Sequence, residues 1–244
     1  RSFNKKQFKL REHLERLHTG LKILRIPLKM DVKEMEDVCH ETIERNEPFF
    51  GANDEHRLMI DVSRGLLGIY HGIENLHKGS NLIIADFPLR WTVSGMGKLF
   101  DEGINAVITS QRVIPAHLMD PKIKNRSRLF YQMANIEVSG VKGENNGALL
   151  IDTDGYITEC AIRNIFFIKG NNLLTPGTDL GVLPGVMRET IISFAEELNL
   201  TVKETNISID SINDMDEAFI TSTGIGLLPC YWDGWNSTFS MTTI

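Results

Sequence analysis

Leu10, Leu14, Leu17, Leu21 and Leu24 recur at spacings of three and four. That is the repeat of one buried helix face, so a helix is expected from Leu10 to the proline at Pro27. A second helix is expected from Asp31, as its cap, to about Arg45, with Val32, Met35, Val38 and Ile43 inward. Ahead of both, "RSFNKKQFKL" reads as a strand, a turn at Asn4 and Lys5, and a short second strand. Three apolar runs then predict strands: Arg57 to Val62, Leu82 to Phe87 and Asn105 to Ser110.

The pattern breaks from Val113 to Pro121, where two prolines and little periodicity suggest an interdomain linker. A helix is expected from near Asn125 through "RSRLFYQMANIEV". "GALLIDTDGYITECAIRNIFFIKGNNLLTP" alternates strands with tight turns, and Asp154-Gly155 and Asn171-Asn172 are hairpin signals. Pro184-Gly185 opens a further helix with Ile191, Phe194, Ala195 and Leu198 inward. "DEAFITSTGIGLLPC" reads as strand, turn, strand.

Composition narrows the picture. The chain has 244 residues, 42% hydrophobic and 24% charged, with a formal net charge of -6. Its basic residues are scattered, which argues against nucleic-acid binding. No apolar stretch reaches the roughly 18 residues of a membrane span. Cys39, Cys160 and Cys230 are odd in number and widely spaced, so neither a metal site nor a disulfide framework is indicated. They read as reduced thiols of a cytoplasmic protein.

Five features could carry chemistry. Lys124, at the expected helix start, faces the positive end of the helix dipole, where an ammonium loses its proton more easily and becomes a nucleophile. Glu159 ends a strand in "DGYITEC" and could keep a pyridinium nitrogen protonated. In "LPGVMRE" the amides of Val186 and Met187 open a helix and suit an anion. In "FITSTGIG" the hydroxyls of Ser222 and Thr223 and the Gly224 amide could act likewise. "GIG" lacks the third glycine of a dinucleotide fingerprint. Arg16 lies about 115° from the centre of the leucine stripe, on the helix flank, where it could clamp a phosphate. Taken singly, each is an ordinary surface or turn residue.

In order along the chain, they resemble the class IV aminotransferase family of pyridoxal 5′-phosphate (PLP) enzymes. "FKLREHLERL" is similar to the family's N-terminal helix motif, "PKIKNRSRLFY" to the segment bearing its Schiff-base lysine, and "GVLPGVMRETI" and "DEAFITSTGIGLLPC" to its phosphate turns. The block from Leu149 to Pro176 matches "DGxxxE…NxFxxxxxxLxTP". The resemblance implies Lys124 as catalytic residue and cofactor anchor. It implies Arg16, Glu159, Leu183, Val186, Met187, Ser222 and Thr223 around the cofactor, and Gly224 toward substrate.

It also implies an α+β, two-domain PLP fold type IV and a homodimer. A smaller α/β domain would span 1–114, a linker 115–122, and a larger β-rich pseudo-barrel 123–244. Both ends look truncated, with a further strand expected after "YWDGWNS". The implied reaction moves an amino group from a branched-chain L-amino acid to 2-oxoglutarate through a Lys124 aldimine. Leu129 stands where branched-chain aminotransferases commonly carry Tyr, and Met187 where aminotransferases often carry Thr. An aminodeoxychorismate lyase, a D-amino-acid aminotransferase and a non-catalytic PLP-binding homologue are therefore the alternatives.

Overall fold

The computed structural model describes residues 1–75 and 79–232. They fall into two compact units, Arg1–Ser94 and Gly95–Ile244. The strand expected after "YWDGWNS" lies outside the described residues.

In the first unit, β1 (Ser2–Phe3) and β2 (Lys6–Gln7) form a hairpin. Asn4 and Lys5 turn it with φ of 49° and 64°, the left-handed pair a two-residue hairpin needs. Helix α1 (Leu10–Ile23) buries Leu10, Leu14 and Leu21. It stops before Pro27. Arg25 turns left-handed, and Arg25 N–H to Lys22 O (3.1 Å) and Ile26 N–H to Leu21 O (2.9 Å) close a C-terminal cap. Leu24, expected in the buried stripe, is consequently 41% exposed.

Helix α2 (Val32–Asn46) begins with a capping box: Asp31 accepts Glu34 N–H, and the Glu34 side chain accepts Asp31 N–H, both at 2.8 Å. Its buried residues are Met35 and Cys39, while Val38 and Ile43 are half-buried. β3 (His56–Ser63) and β4 (Asn81–Pro88) pair antiparallel. Their Leu58, Ile60, Leu82 and Ile84 pack on the helices' inner residues. Helix α3 (Arg90–Val93) follows.

The second unit holds α4 (Leu99–Glu102), β5 (Ile104–Arg112), α5 (Leu129–Ser139), β6 (Asn146–Ile151), β7 (Ile157–Cys160), β8 (Asn164–Lys169) and β9 (Asn172–Thr175). After these come α6 (Val186–Glu197), β10 (Thr201–Glu204), β11 (Glu217–Ser222) and β12 (Gly226–Tyr231). The strands form one sheet in the order β10-β9-β8-β11-β12-β5-β6-β7. β5 lies parallel to both β12 and β6.

The sheet curls around one core. Ile104, Ala106 and Ile108 of β5 pack there with Leu149, Ile157, Ile165 and Leu228. The alternate residue Val107 packs on Ala134 and Val138 of α5. β5 is buried on both faces, which is why its sequence reads as a nearly continuous apolar run.

This placement moves the boundary. The 115–122 segment expected to link two domains instead connects β5 to α5 within the second unit, because β5 is bonded to strands of that unit on both edges. The helix-rich first unit and β-rich second unit match the expected α+β class. Two details of α6 differ: Ala195 is buried, but Phe194 and Leu198 are 50% and 69% exposed. The turn between β8 and β9 is Gly170-Asn171, one residue ahead of the expected pair.

The β6–β7 hairpin delivers Glu159 to the site, and Asp152 holds its turn. Its buried Oδ1 accepts N–H bonds from Asp154 (2.9 Å) and Tyr156 (2.8 Å). Asp152→Ala leaves both donors without that acceptor and is expected to cost about 1–3 kcal/mol. Asp152→Asn keeps an oxygen there and should recover most of it. Urea titration of the two variants measures the difference.

Candidate active site

Lys124 lies in the loop ahead of α5, not at a helix start: α5 begins at Leu129. The expected dipole effect on its ammonium therefore has no helix to supply it. The loop is instead set by Asp120, whose side chain accepts Lys122 N–H (2.9 Å) and whose carbonyl accepts Ile123 N–H (3.0 Å). Asn125 Nδ2 reaches Met119 Sδ at 3.3 Å. Lys124 thereby lines a cavity that also takes in Tyr131, Glu159, Arg163, Asn164 and Leu183.

Glu159 is 2% exposed, near the end of β7. Burial pushes its carboxyl up to about 7, against the opposing effects of the Tyr131 hydroxyl, the Lys124 charge and the Leu183 N–H. Tyr131 O–H donates to Glu159 Oε1 from the first turn of α5. The same burial, together with the Glu159 charge and bond, raises the Tyr131 phenol above its ordinary range.

Asn164 joins three segments around this cavity. Its Nδ2 donates to Leu183 O at 3.0 Å. Its backbone pairs with Thr221, the residue before Ser222 on β11. Its Oδ1 sits so close to Gly185 that a Cβ there would lie 2.1 Å away. Only glycine lets α6 start at this distance. At the start of α6 Glu189 N–H bonds Gly185 O (3.0 Å), and the Val186 and Met187 amides belong to the first turn, whose N–H groups point out of the helix end.

Of the expected residues, Lys124, Glu159 and Leu183 share one cavity. Val186 and Met187 open α6, Ser222 ends β11, and Thr223 and Gly224 form the turn to β12. None of these five lines the cavity itself; Asn164 connects their segments to it. Arg16 belongs to the first unit, half-buried on α1, with Nη2 3.3 Å from His13 Nδ1. Burial lowers its guanidinium to about 10.

Sequence reasoning missed Tyr131, Asn164 and Arg163. Asn164 stood in the quoted motif but drew no role. Tyr131 lies two residues beyond Leu129, about 200° around the helix, while Leu129 is 71% exposed. Ile162 on the cavity rim has φ of 64°, a conformation that is strained for a β-branched residue.

The raised Glu159 carboxyl fixes a pH dependence for the cofactor-free protein. Glutamate in the unfolded chain ionises near 4.5, whereas folded Glu159 keeps its proton to about 7. The folded state binds the extra proton, so its stability falls as pH rises through that window, by about 3 kcal/mol. Glu159→Gln removes this loss. The difference between variant and wild type in urea titrations should grow from about pH 5 to about pH 8.

The amino-transferase class IV family model matches residues 1–231. A probable branched-chain-amino-acid aminotransferase of Rickettsia bellii is 33% identical over 231 residues, covering 92% of this chain and 73% of that protein. The structure of a branched-chain aminotransferase from Thermoproteus uzoniensis, solved with norvaline, superimposes with a TM-score of 0.75 at 27% identity, covering 93% and 73%. A putative 4-amino-4-deoxychorismate lyase of Legionella pneumophila shares the fold, with a TM-score of 0.74 at 21% identity over 93% and 78%. With the family model spanning both units, the chain belongs to the class IV aminotransferases, the pyridoxal 5′-phosphate transaminase family that its motifs resemble, and within it is branched-chain-aminotransferase-like.

Proposed function

We propose that the chain transfers the amino group of a branched-chain L-amino acid to 2-oxoglutarate, with PLP held at the Lys124 cavity. One observation carries this reading: Lys124 and the buried Glu159 line the same cavity. The donor set fits the cofactor, since an amine suits its aldehyde and a buried carboxyl suits its ring nitrogen. When bound, PLP supplies the electron sink that makes a substrate α-proton removable.

The chain's own groups do the rest. Lys124 Nζ anchors the cofactor covalently. The same amine, when free, would move a proton at the substrate Cα, as base and then acid. Glu159 would hold a proton at the ring nitrogen, and Leu183 would be among the residues that hold the cofactor. The Val186 and Met187 amides and the Ser222 and Thr223 hydroxyls would bind the phosphate. Gly224 faces the substrate.

An aliphatic substrate is supported by the name of the Rickettsia relative and by the norvaline in the Thermoproteus structure. A homodimer follows from the motif resemblance. A cytoplasmic setting is supported by three free, buried cysteines. No helix among the described residues is long and apolar enough to cross a membrane.

The full protein incubated with L-leucine and 2-oxoglutarate is expected to form glutamate. Pyruvate from aminodeoxychorismate without glutamate would overturn the reading in favour of the lyase, and a preference for D-leucine would do so in favour of a D-amino-acid enzyme. Lys124→Ala should lower kcat at least about 10³-fold with an unchanged melting temperature.

A further inference from the structure

Glu159 is useful to a ring nitrogen only as an anion, and its burial works against that charge. The surroundings that oppose burial are few. Three cationic side chains line the cavity from two segments, Lys124 and Arg128 ahead of α5 and Arg163 after β7, and of these the Lys124 charge favours ionised Glu159. The Leu183 N–H bonds the carboxylate from the loop before α6. The Tyr131 hydroxyl donates to it from α5.

We propose that Tyr131 is a positioning residue for transamination: its phenol, delivered by α5, pins Glu159 Oε1 and leaves the remaining acceptor positions of the carboxylate to Leu183 N–H and the cofactor nitrogen. The inference rests on the functional reading above. A carboxylate accepts at about four lone-pair positions, so these partners are compatible. The phenol is itself fixed. Its ring lies 4.0 Å from that of Phe130, centroid to centroid, and both rings pack on the core formed by Ala134, Val138 and Leu150. The hydroxyl thus arrives with little freedom left to lose. Its proton stays on the phenol, since burial and the Glu159 charge both oppose ionisation of the tyrosine. Tyr131 therefore donates without exchanging charge, and it favours the ionised form of its partner.

Tyr131→Phe keeps the ring and removes the hydroxyl. The first readout needs no cofactor: the Glu159 carboxyl is titrated in the cofactor-free protein by ¹³C NMR of carboxyl-labelled glutamate, assigned with Glu159→Gln. The variant is expected to titrate about one to two pH units above wild type. The second readout is the pH profile of kcat for the holoenzyme. The acidic limb should move to higher pH in Tyr131→Phe, with KM little changed and kcat approaching wild type at the alkaline end. A purely structural role would lower the melting temperature and scale kcat equally at all pH values.

An unchanged Glu159 titration overturns the proposal. So does a shifted titration with an unmoved kcat profile. A wild-type chain that takes up no PLP and forms no glutamate overturns the functional reading instead, and that failure is recognisable because the cofactor-free titration does not depend on it.

Discussion

The second unit's cavity depends on the packing of Asn164 against Gly185. One short amide touches the loop at Leu183, the start of α6 and, through its backbone, the end of β11. These segments come from well-separated parts of the chain, and their geometry must agree if Glu159 and Lys124 are to line one cavity. A missing Cβ is what allows the approach. The fit joins the β8–β11 half of the sheet to the helix whose amides begin beside the cavity.

Given that frame, the electrostatics follow from burial. Glu159 has almost no exposed surface, so each neighbouring donor counts for more than it would in water. Lys124 is set differently. It sits on an irregular loop held by Asp120 and Asn125. A buried acid on a strand and an amine on a loop thus share one cavity.

Much of the architecture was legible in the sequence because it rests on local rules. The leucine spacing gave α1, Asp31 with Glu34 gave the start of α2, and the apolar runs gave β3, β4 and β5. The misreadings come from long-range constraints. The prolines near 115 resemble a linker, yet β5 before them is paired on both edges within the second unit. The run after Asn125 looks helical, but α5 starts only at Leu129. Lys124, Glu159 and the two turns were recognisable only as an ordered set. Tyr131 was not, because its bond to Glu159 depends on which side of α5 faces a strand distant in sequence, and no local pattern records that.

The strand order has a consequence during synthesis. β5 emerges from the ribosome early, β6 and β7 follow, and these carry Glu159 toward Lys124. The strand that completes the other edge of β5 is β12, which pairs Cys230 with Ile104. Until β12 has been translated, the nascent chain presents the open edge of a strand that is apolar on both faces, a template for pairing with other chains. The segment most dependent on a late partner is an interior strand of the finished sheet, so chaperone demand should concentrate in the interval between the appearance of Ile104 and that of Tyr231.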